Sequence, residues 1–521
     1  MLQWPWTGQG TKSDGVGMGS DTWFEREGVI GAVRALLAEW SGDGYLVGGY
    51  VRDLLLGRDT RDLDVVVAGD AIAVARELAD RLGGAFVVLD EERGTARVVL
   101  GDRGDKYYVD FATLRGGSLE SDLGARDFTI NAMAIDVQDV SPDPRIIDLL
   151  GGRQDLESGA IRVVSDSVFQ DDAIRLLRGV RLAAELGMEL EQSTEELMLR
   201  ENHLLAGVSA ERIRDELCKI LAVAEAEVHL RRLDRLGLLA SVLPELETVR
   251  GLEQPHPHFQ DVLEHSLSAV GGLDRVFIAM ERLATGKDLS VAEEWGVGAE
   301  AQEALQTAVG PFSQPVLEHL EKQIVDDRSR AVLLKLAALL HDVGKASTGK
   351  TDEDGRIRFL GHAREGSVLA ARAVRRLRFG GREARLVRVV IHHHMRPLHL
   401  AKAERVSRRA IHRFFRDTDG AGVDVLLLSL ADNLGLVHQG TNVEQWIGIC
   451  EVAGMLLRAY FEQHAEVIAP PPLLRGGDLL EFLGMEPGPA VGTVLRALSE
   501  AQAAGELSTR EEALRLAESL R

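Results

Sequence analysis

The stretch YLVGGYVRDLLLGRDTRDLDVVV, Tyr45 to Val67, decides the fold. Tyr45–Val47 reads as a short apolar strand ending in Gly48-Gly49. Val51–Leu56 reads as a short helix carrying Arg52 and Asp53. Leu63–Val67 reads as a second strand with Asp62 and Asp64 at its entrance. Side chains in a strand alternate faces, so Asp62 and Asp64 share one face while Leu63 and Val65 turn to a core. Two carboxylates on one face suit a hard divalent cation such as Mg²⁺. Gly48-Gly49 lets backbone N–H groups approach a phosphate, and the helix start behind it adds positive dipole. A triphosphate held beside metal ions is the apparatus of phosphoryl or nucleotidyl transfer. Glycine turns and solvated aspartates are each common alone. Their union in one strand–helix–strand unit favours a site.

Outward from this unit, strands and helices alternate through residue 150. Further strands are expected at Ala85–Leu89, Ala96–Leu100 and Lys106–Ala112, with a helix at Val74–Leu82. Asp110 completes a cluster of three carboxylates if its strand lies beside Leu63–Val67; otherwise it is a lone edge-strand acid. Asp90–Gly94 reads as a polar, mobile turn. Arg126–Ala134 (RDFTINAMA) follows, and Asp148–Gly152 forms a turn leading into Asp155-Leu156. From about residue 165 the pattern is helical. A helix over Phe169–Leu186 carries Asp172 and Arg175, three apart and therefore neighbours. A carboxylate only accepts hydrogen bonds and a guanidinium only donates. Such a pair matches the pairing edges of cytosine and adenine and mismatches guanine and uracil. An ordinary surface ion pair is the competing reading of the same spacing. Ser209 reads as the N-cap of a structural helix.

The 521 residues suffice for several domains with cores of their own, and 45% apolar with 27% charged residues is ordinary for a soluble protein. No apolar run is long enough to span a membrane, and the first residues lack the basic start and apolar core of a secretory signal. Residues 1–25 read as a disordered tail, within which Met18 is an alternative start. Two cysteines, Cys218 and Cys450, supply no disulfide framework and fit a reducing cytoplasm. A formal charge of −22 excludes a wholesale basic nucleic-acid binder, so any RNA contact must come from local basic patches.

Five segments in order resemble the class II tRNA nucleotidyltransferases and bacterial poly(A) polymerases: LVGGYVRDLLLGRDTRDLDVVV, RDFTINAMA, DLLGGRQDL, DDAIRLLRGVR and SAERIRDEL. They span roughly residues 40–222. The resemblance implies an α+β fold, with a polymerase-β-like nucleotidyltransferase head followed by an all-helical neck and body. It also implies roles. Asp62 and Asp64 are the catalytic metal ligands, and Gly48, Gly49 and Arg52 hold the triphosphate. Arg126, Asp127 and Asn131 shape the nucleotide and sugar pocket. Asp172 and Arg175 read the base, assisted by Arg178 and Arg181. One position departs from the family pattern: Asp171 stands where a Glu is usual, flanking the reading pair.

The second half holds most of the histidines. His265, His341-Asp342, His362, His392-His393-His394 and Asp432 follow one another across several helices. Imidazoles and carboxylates converging in this way suit a divalent metal such as Mn²⁺, Fe²⁺, Ni²⁺ or Mg²⁺, and without Cys-x-x-Cys pairs a structural zinc site is not expected. The ordered set resembles the HD-domain metal phosphohydrolases over about 255–435. His394 best matches the family position, with His393 the alternate. The resemblance implies phosphodiesterase or phosphatase activity on nucleotide or RNA ends, or else a vestige kept for packing. Arg372, Arg375, Arg378, Arg382, Arg385 and Arg388 recur at helical spacing. Gly380-Gly381 is expected to split them into two patches, read as tRNA backbone contacts or as a solvated face. Ala469–Pro472 reads as a linker. The segment beyond it resembles the tRNA-touching C-terminal segment of bacterial CCA-adding enzymes.

The expected organisation is a tail (1–25), a head (26–160), a neck and body (161–235), an HD domain (236–460) and a C-terminal segment (461–521). The expected activity is template-independent addition or repair of the tRNA 3′ CCA end from CTP and ATP. CC-adding, A-adding and poly(A)-polymerising enzymes are the nearest rivals. An HD phosphohydrolase whose head only binds RNA is the rival of a different class. tRNA is the expected partner, no membrane is involved, and the oligomeric state is left open.

Overall fold

The alternation around Asp62 and Asp64 becomes the middle of a seven-stranded sheet. The computed structural model describes residues 20–40, 42–101, 106–141, 143–255, 258–290, 296–325, 328–437 and 443–521. The chain opens with α1 (Ser20–Glu39), β1 (Gly44–Val47), α2 (Gly49–Leu55), β2 (Asp62–Val67), α3 (Ala71–Leu82), β3 (Ala85–Asp90), β4 (Thr95–Leu100) and β5 (Tyr107–Thr113). It continues with α4 (Leu119–Gly124), β6 (Met133–Asp136), β7 (Ile146–Asp148) and α5 (Gly152–Ser158). The strand order is β3-β4-β5-β2-β1-β6-β7, with β2 and β5 parallel and the other neighbours antiparallel.

The expected strands are all present with ends moved by a single residue, because the apolar alternation fixed them. α3 starts earlier than expected, at Ala71, because the Asp70 side chain accepts a hydrogen bond from the Ala73 N–H (3.0 Å) and caps the helix. Residues 1–19 of the expected tail lie outside the described residues, and α1 already includes Ser20. Leu63 and Val65 are buried while Asp62 is exposed, as the pleat requires. Further along β2 the second face is covered too. Val66 joins Val47, Ala134 and the α4 residues Leu119 and Leu123 in one apolar cluster. The carboxylates therefore sit at the end of the strand where that cover stops.

The helix expected over Phe169–Leu186 is broken. α6 (Val168–Asp171) ends at Asp172, whose backbone is extended (φ −157°, ψ 101°), and α7 (Arg175–Leu186) begins three residues later. The Arg175 guanidinium explains the break. It donates to the Val168 carbonyl (3.3 Å) in α6 and to the Ala125 carbonyl (2.8 Å), so side-chain bonds replace the continuing helical ladder.

The backbone groups into two compact units: residues up to 208 with 235–238, and residues 209–234 with 239–521. The second unit is helical. Its core helices include Val262–Ala284, Arg330–Leu340, His362–Arg376, Gly381–His393 and Gly422–Val437. Arg330–Leu340 is buried on every side and reads as a continuous apolar run. Buried Lys335 within it is satisfied by Asp274 (2.5 Å) and the Val223 carbonyl (2.7 Å). The last three helices (Gly476–Leu483, Pro489–Ala503, Arg510–Ser519) have their own small core around Leu479, Val494 and Leu498. No helix among the described residues is long and apolar enough to cross a membrane.

Candidate active site

The strand registers place three carboxylates side by side. In the parallel β2–β5 ladder Asp64 lies opposite Asp110, and Asp62 is two residues earlier on the same face of β2. The condition set for Asp110 is therefore met. Burial pushes the Asp64 carboxyl up to about 6; Arg126 pulls against that, and the charges of Asp110 and Asp62 add to it. Three hard oxygen donors on one face of the sheet are of the kind that suits a divalent cation such as Mg²⁺. In this structure Arg97 faces Asp110 across β4–β5 and binds it through two hydrogen bonds of 2.7 Å. Asp62 and Asp64 both act on Arg97 as well, so its guanidinium lies in the field of all three acids. Sequence reading missed Arg97. The alternation of Thr95, Arg97 and Val99 along β4 was the available signal.

Gly48 explains why the turn must be glycine. Its φ is +71°, a conformation other residues adopt at a cost, and a Cβ there would lie 2.8 Å from Asp64 Oδ2 and 3.0 Å from Arg126 Nη1. The turn, the acid and the arginine thus converge at one point. At Gly49 a Cβ would come 3.5 Å from the Arg52 guanidinium. Arg126 is aimed by a residue not singled out from sequence. Asp122, almost wholly buried in α4, accepts from Arg126 Nε (3.1 Å) and Nη2 (3.0 Å). Its position four residues ahead of Arg126 was the signal.

A second chain of bonds joins the remaining head residues. Arg52 donates to Asp53 (2.9 and 3.0 Å) and to Asn131 Oδ1 (2.8 Å). Asn131 donates to Asp127 Oδ1 (3.1 Å), which also accepts from the Phe128 N–H (2.8 Å). Asp127 Oδ2 meets Arg178 Nη1 at 3.1 Å. Burial alone would raise the Asp127 carboxyl, but Arg178, Asn131 and the Phe128 amide outweigh it and hold it below its ordinary value. Arg52, Asn131, Asp127 and Arg178 therefore form one row fixed by mutual hydrogen bonds. Asp172 and Arg175 do not form the one-helix pair expected of them, for the reason given above. Arg175 is buried and spends two donors on carbonyls, and Arg181 turns to Glu185 (2.5 Å).

The histidine half converges as the spacing suggested. His265 Nε2 lies 2.8 Å from Asp432 Oδ1, His341 Nε2 3.2 Å from Asp342 Oδ2, and His362 Nε2 3.5 Å from Asp342 Oδ1. His394 Nε2 is 3.4 Å from His362 Nε2. His341, His362 and His394 share one device. In each, Nδ1 bonds the carbonyl three residues back (Ala338, Phe359 and Ile391, at 2.7–2.8 Å), which turns Nε2 inward. Of the three consecutive histidines the cluster takes His394; His392 and His393 line a separate cleft. His265 Nε2, His341 Nε2, Asp342 Oδ1 and Asp432 Oδ1 are buried, and despite these close approaches none completes a hydrogen bond of proper geometry. Converging orphaned donors of this kind fit a divalent metal. Burial pushes the His394 ring down to about 3, so the imidazole stays neutral. Burial opposes charge on His341 too, but Asp342 and Asp432 override it and hold the ring up at about 10. Lys345, three residues after Asp342, reaches Asp342 Oδ2 (2.5 Å) and Gln254 Oε1 (2.6 Å).

The sequence patterns of three families match this chain. The "Poly A polymerase head domain" matches residues 44–162, the "Probable RNA and SrmB- binding site of polymerase A" residues 187–249, and the "HD domain" residues 314–435. The last is narrower than the 255–435 expected, yet His265, outside it, joins the same cluster. Among curated proteins, a CC-adding tRNA nucleotidyltransferase of Thermus thermophilus is 35% identical over 90% of this chain and 92% of its own. An A-adding tRNA nucleotidyltransferase of Deinococcus radiodurans is 35% identical over 90% and 93%. A solved structure of a CCA-adding enzyme with CTP is 22% identical, covers 95% of this chain and 96% of its own, and superposes with a TM-score of 0.57.

Proposed function

The chain belongs to the tRNA nucleotidyltransferases that build the 3′ CCA end, and from that premise we propose that it extends tRNA 3′ ends from CTP and ATP without a nucleic-acid template. The convergence of Gly48, Asp64 and Arg126 carries this reading. Gly48-Gly49 and Arg52 hold the triphosphate, and Arg126, fixed by Asp122, meets the charge on its phosphates. The row Asn131–Asp127–Arg178 fixes the sugar and base. Asp172 and Arg175, standing at the break between α6 and α7, read the pairing edge, with Arg178 and Arg181 beside them. The RNA 3′ hydroxyl attacks the α-phosphate in line; the new P–O bond forms as the bond to pyrophosphate breaks. Mg²⁺ held by Asp62, Asp64 and Asp110 would lower the hydroxyl's pKa and steady the leaving group. Arg97 keeps Asp110 neutralised until that cation arrives.

His265, His341, Asp342, His362, His394 and Asp432 would hold a second divalent metal for hydrolysis of phosphate esters at nucleotide or RNA ends. The turn at Asp90–Gly94 is the expected seat of the switch between C and A. A second reading is favoured by the relatives' names: the Thermus thermophilus and Deinococcus radiodurans proteins, each matched along nine tenths of this chain, are named for CC addition and A addition. Purified protein given tRNAs lacking the last three, two or one nucleotides, with each single triphosphate, separates these readings. A ladder completed to CCA supports the full activity. Arrest after CC, or addition only to a CC end, selects the specialist. A long A ladder selects poly(A) synthesis, and no addition at all overturns the reading.

A further inference from the structure

The arginines at 372–388 do not form the two patches expected of them. The helices His362–Arg376 and Gly381–His393 fold back against each other, the reversal falling at Arg378, whose φ is +61°. Arg378 leaves the row: its carbonyl accepts from Arg214 (2.8 Å) and its side chain approaches Glu211 (3.7 Å). The fold-back brings Arg372 and Arg375 of one helix to the same groove as Arg385 and Arg388 of the other. The floor between them is Val368, Ala371, Gly381 and Ala384.

Three observations give this groove a ligand. Its lining holds four arginines and no acid. Among the described residues the side chains of Arg372, Arg375 and Arg388 make no hydrogen bond or ion pair, and all three residues are exposed. Arg385 alone is paired, with Asp419, which lines the adjoining cleft beside Arg388, His392, His393, Arg416 and Asp417. In a chain of net charge −22, where arginines elsewhere are regularly paired with acids, three uncompensated guanidiniums around one concave floor are out of pattern. Guanidinium forks match phosphate oxygens two at a time. Arg372 and Arg375, like Arg385 and Arg388, stand three apart on their helices, so each pair lies on one face.

We propose that this groove binds the sugar–phosphate backbone of an RNA strand, and so is a second RNA-docking surface, apart from the head. It rests on the reading above only in taking tRNA as that RNA. A concave floor of small side chains admits a narrow polyanion strand. A lipid surface is flat, and among the described lining residues Val368 is the one sizeable apolar side chain that could insert into it.

The test uses the full-length protein, a tRNA lacking its last three nucleotides, and the triple variant R372A/R375A/R388A. Arg→Ala at all three positions is expected to weaken RNA binding by roughly ten- to a hundredfold near 0.1 M salt. The slope of log K against log salt should fall by about three, near one per lost phosphate contact. CTP binding should be unchanged, and KM for tRNA should rise with kcat retained. The Arg→Lys triple should keep most of the affinity. An unaltered salt slope overturns the proposal, as does a loss confined to vesicles of anionic lipid. If the wild-type protein binds the RNA with the expected slope but adds no nucleotide, the groove stands and the reading of the head falls. If the variant adds nucleotides with unaltered KM and slope, the reverse holds.

Discussion

The two metal-binding constellations are built from opposite materials. In the head, carboxylates stand on strands, and the parallel register of β2 on β5 sets Asp64 against Asp110. In the HD unit, imidazoles stand at or near helix ends, and His341, His362 and His394 are locked through Nδ1 to the carbonyl three residues back. The first is open at Asp62, and burial of Asp64, with the like charges of Asp110 and Asp62 added, pushes that carboxyl up to about 6. The second is closed, and burial with neighbouring charge holds His394 neutral at about 3. An open oxygen site can exchange its cation with each incoming triphosphate, whereas a buried nitrogen–oxygen site keeps its metal resident. The sharpest way to break this comparison is to disable each site alone. Asp64→Ala should lower nucleotide addition by at least roughly a thousandfold, the loss typical when a major charge-stabilising group is removed. It should leave the metal content of the HD unit intact by elemental analysis. His341→Ala should do the reverse. Loss of both properties in either variant, with folding preserved, would contradict two independent sites.

The next effect tests the point where turn and acid meet. Gly48→Ala places a methyl 2.8 Å from Asp64 Oδ2 and 3.0 Å from Arg126, at φ +71°. Expected are a roughly ten- to hundredfold loss of addition and a stability cost of about 1–2 kcal/mol by thermal unfolding. A normal rate would mean that the convergence at Gly48 is not used. Arg175→Ala separates propping from reading. It strips a partner from the Val168 and Ala125 carbonyls, costing about 1–3 kcal/mol, and should also loosen discrimination against GTP and UTP. Lower stability with undiminished discrimination would leave Arg175 a structural post.

Much of this was legible because period-2 alternation fixes which face a residue takes. Asp62 and Asp64 share a face, as the alternation with Leu63 and Val65 implied, whereas Asp110 joins them only because its strand lies beside theirs, which the pattern left open. The histidine set was legible by order alone. What stayed hidden were groups that act by pairing across elements. Arg97 is just one polar residue in an alternating strand until its register against Asp110 is known. Asp122 looks like any acid in a short helix until burial makes it the support of Arg126. The break at Asp172 was illegible for the same reason, since the Ala125 carbonyl that Arg175 reaches lies 50 residues away. The arginine groove likewise depended on where two helices reverse.

The smallest expected effect comes from pH, because two acids shift in opposite directions. Asp64 sits above its ordinary value, so ionising it costs the metal-free fold stability. That cost is fully present above about pH 6 and is relieved as pH falls toward 3.8. Mg²⁺ should therefore raise the unfolding temperature more at pH 7.5 than at pH 5. Glu500 in the C-terminal segment is the converse. Hydrogen bonds from Arg413 (2.6 and 2.9 Å), and then from Arg416, hold it down at about 2 against burial. Its contribution is present above about 4.5 and is lost as pH falls toward 2. Arg413 is half exposed, so screening keeps the sum near 1 kcal/mol. Glu500→Gln should speed amide exchange modestly across Pro489–Ala503 at pH 7 and leave the rate of nucleotide addition unchanged. Its acid unfolding should lack the part of the wild-type slope that falls between pH 4.5 and 2. An acid tuned downward by partners anchors the fold, and one tuned upward by crowding awaits a cation. If Glu500→Gln slowed addition as much as Gly48→Ala, that division between the two kinds of acid would fail.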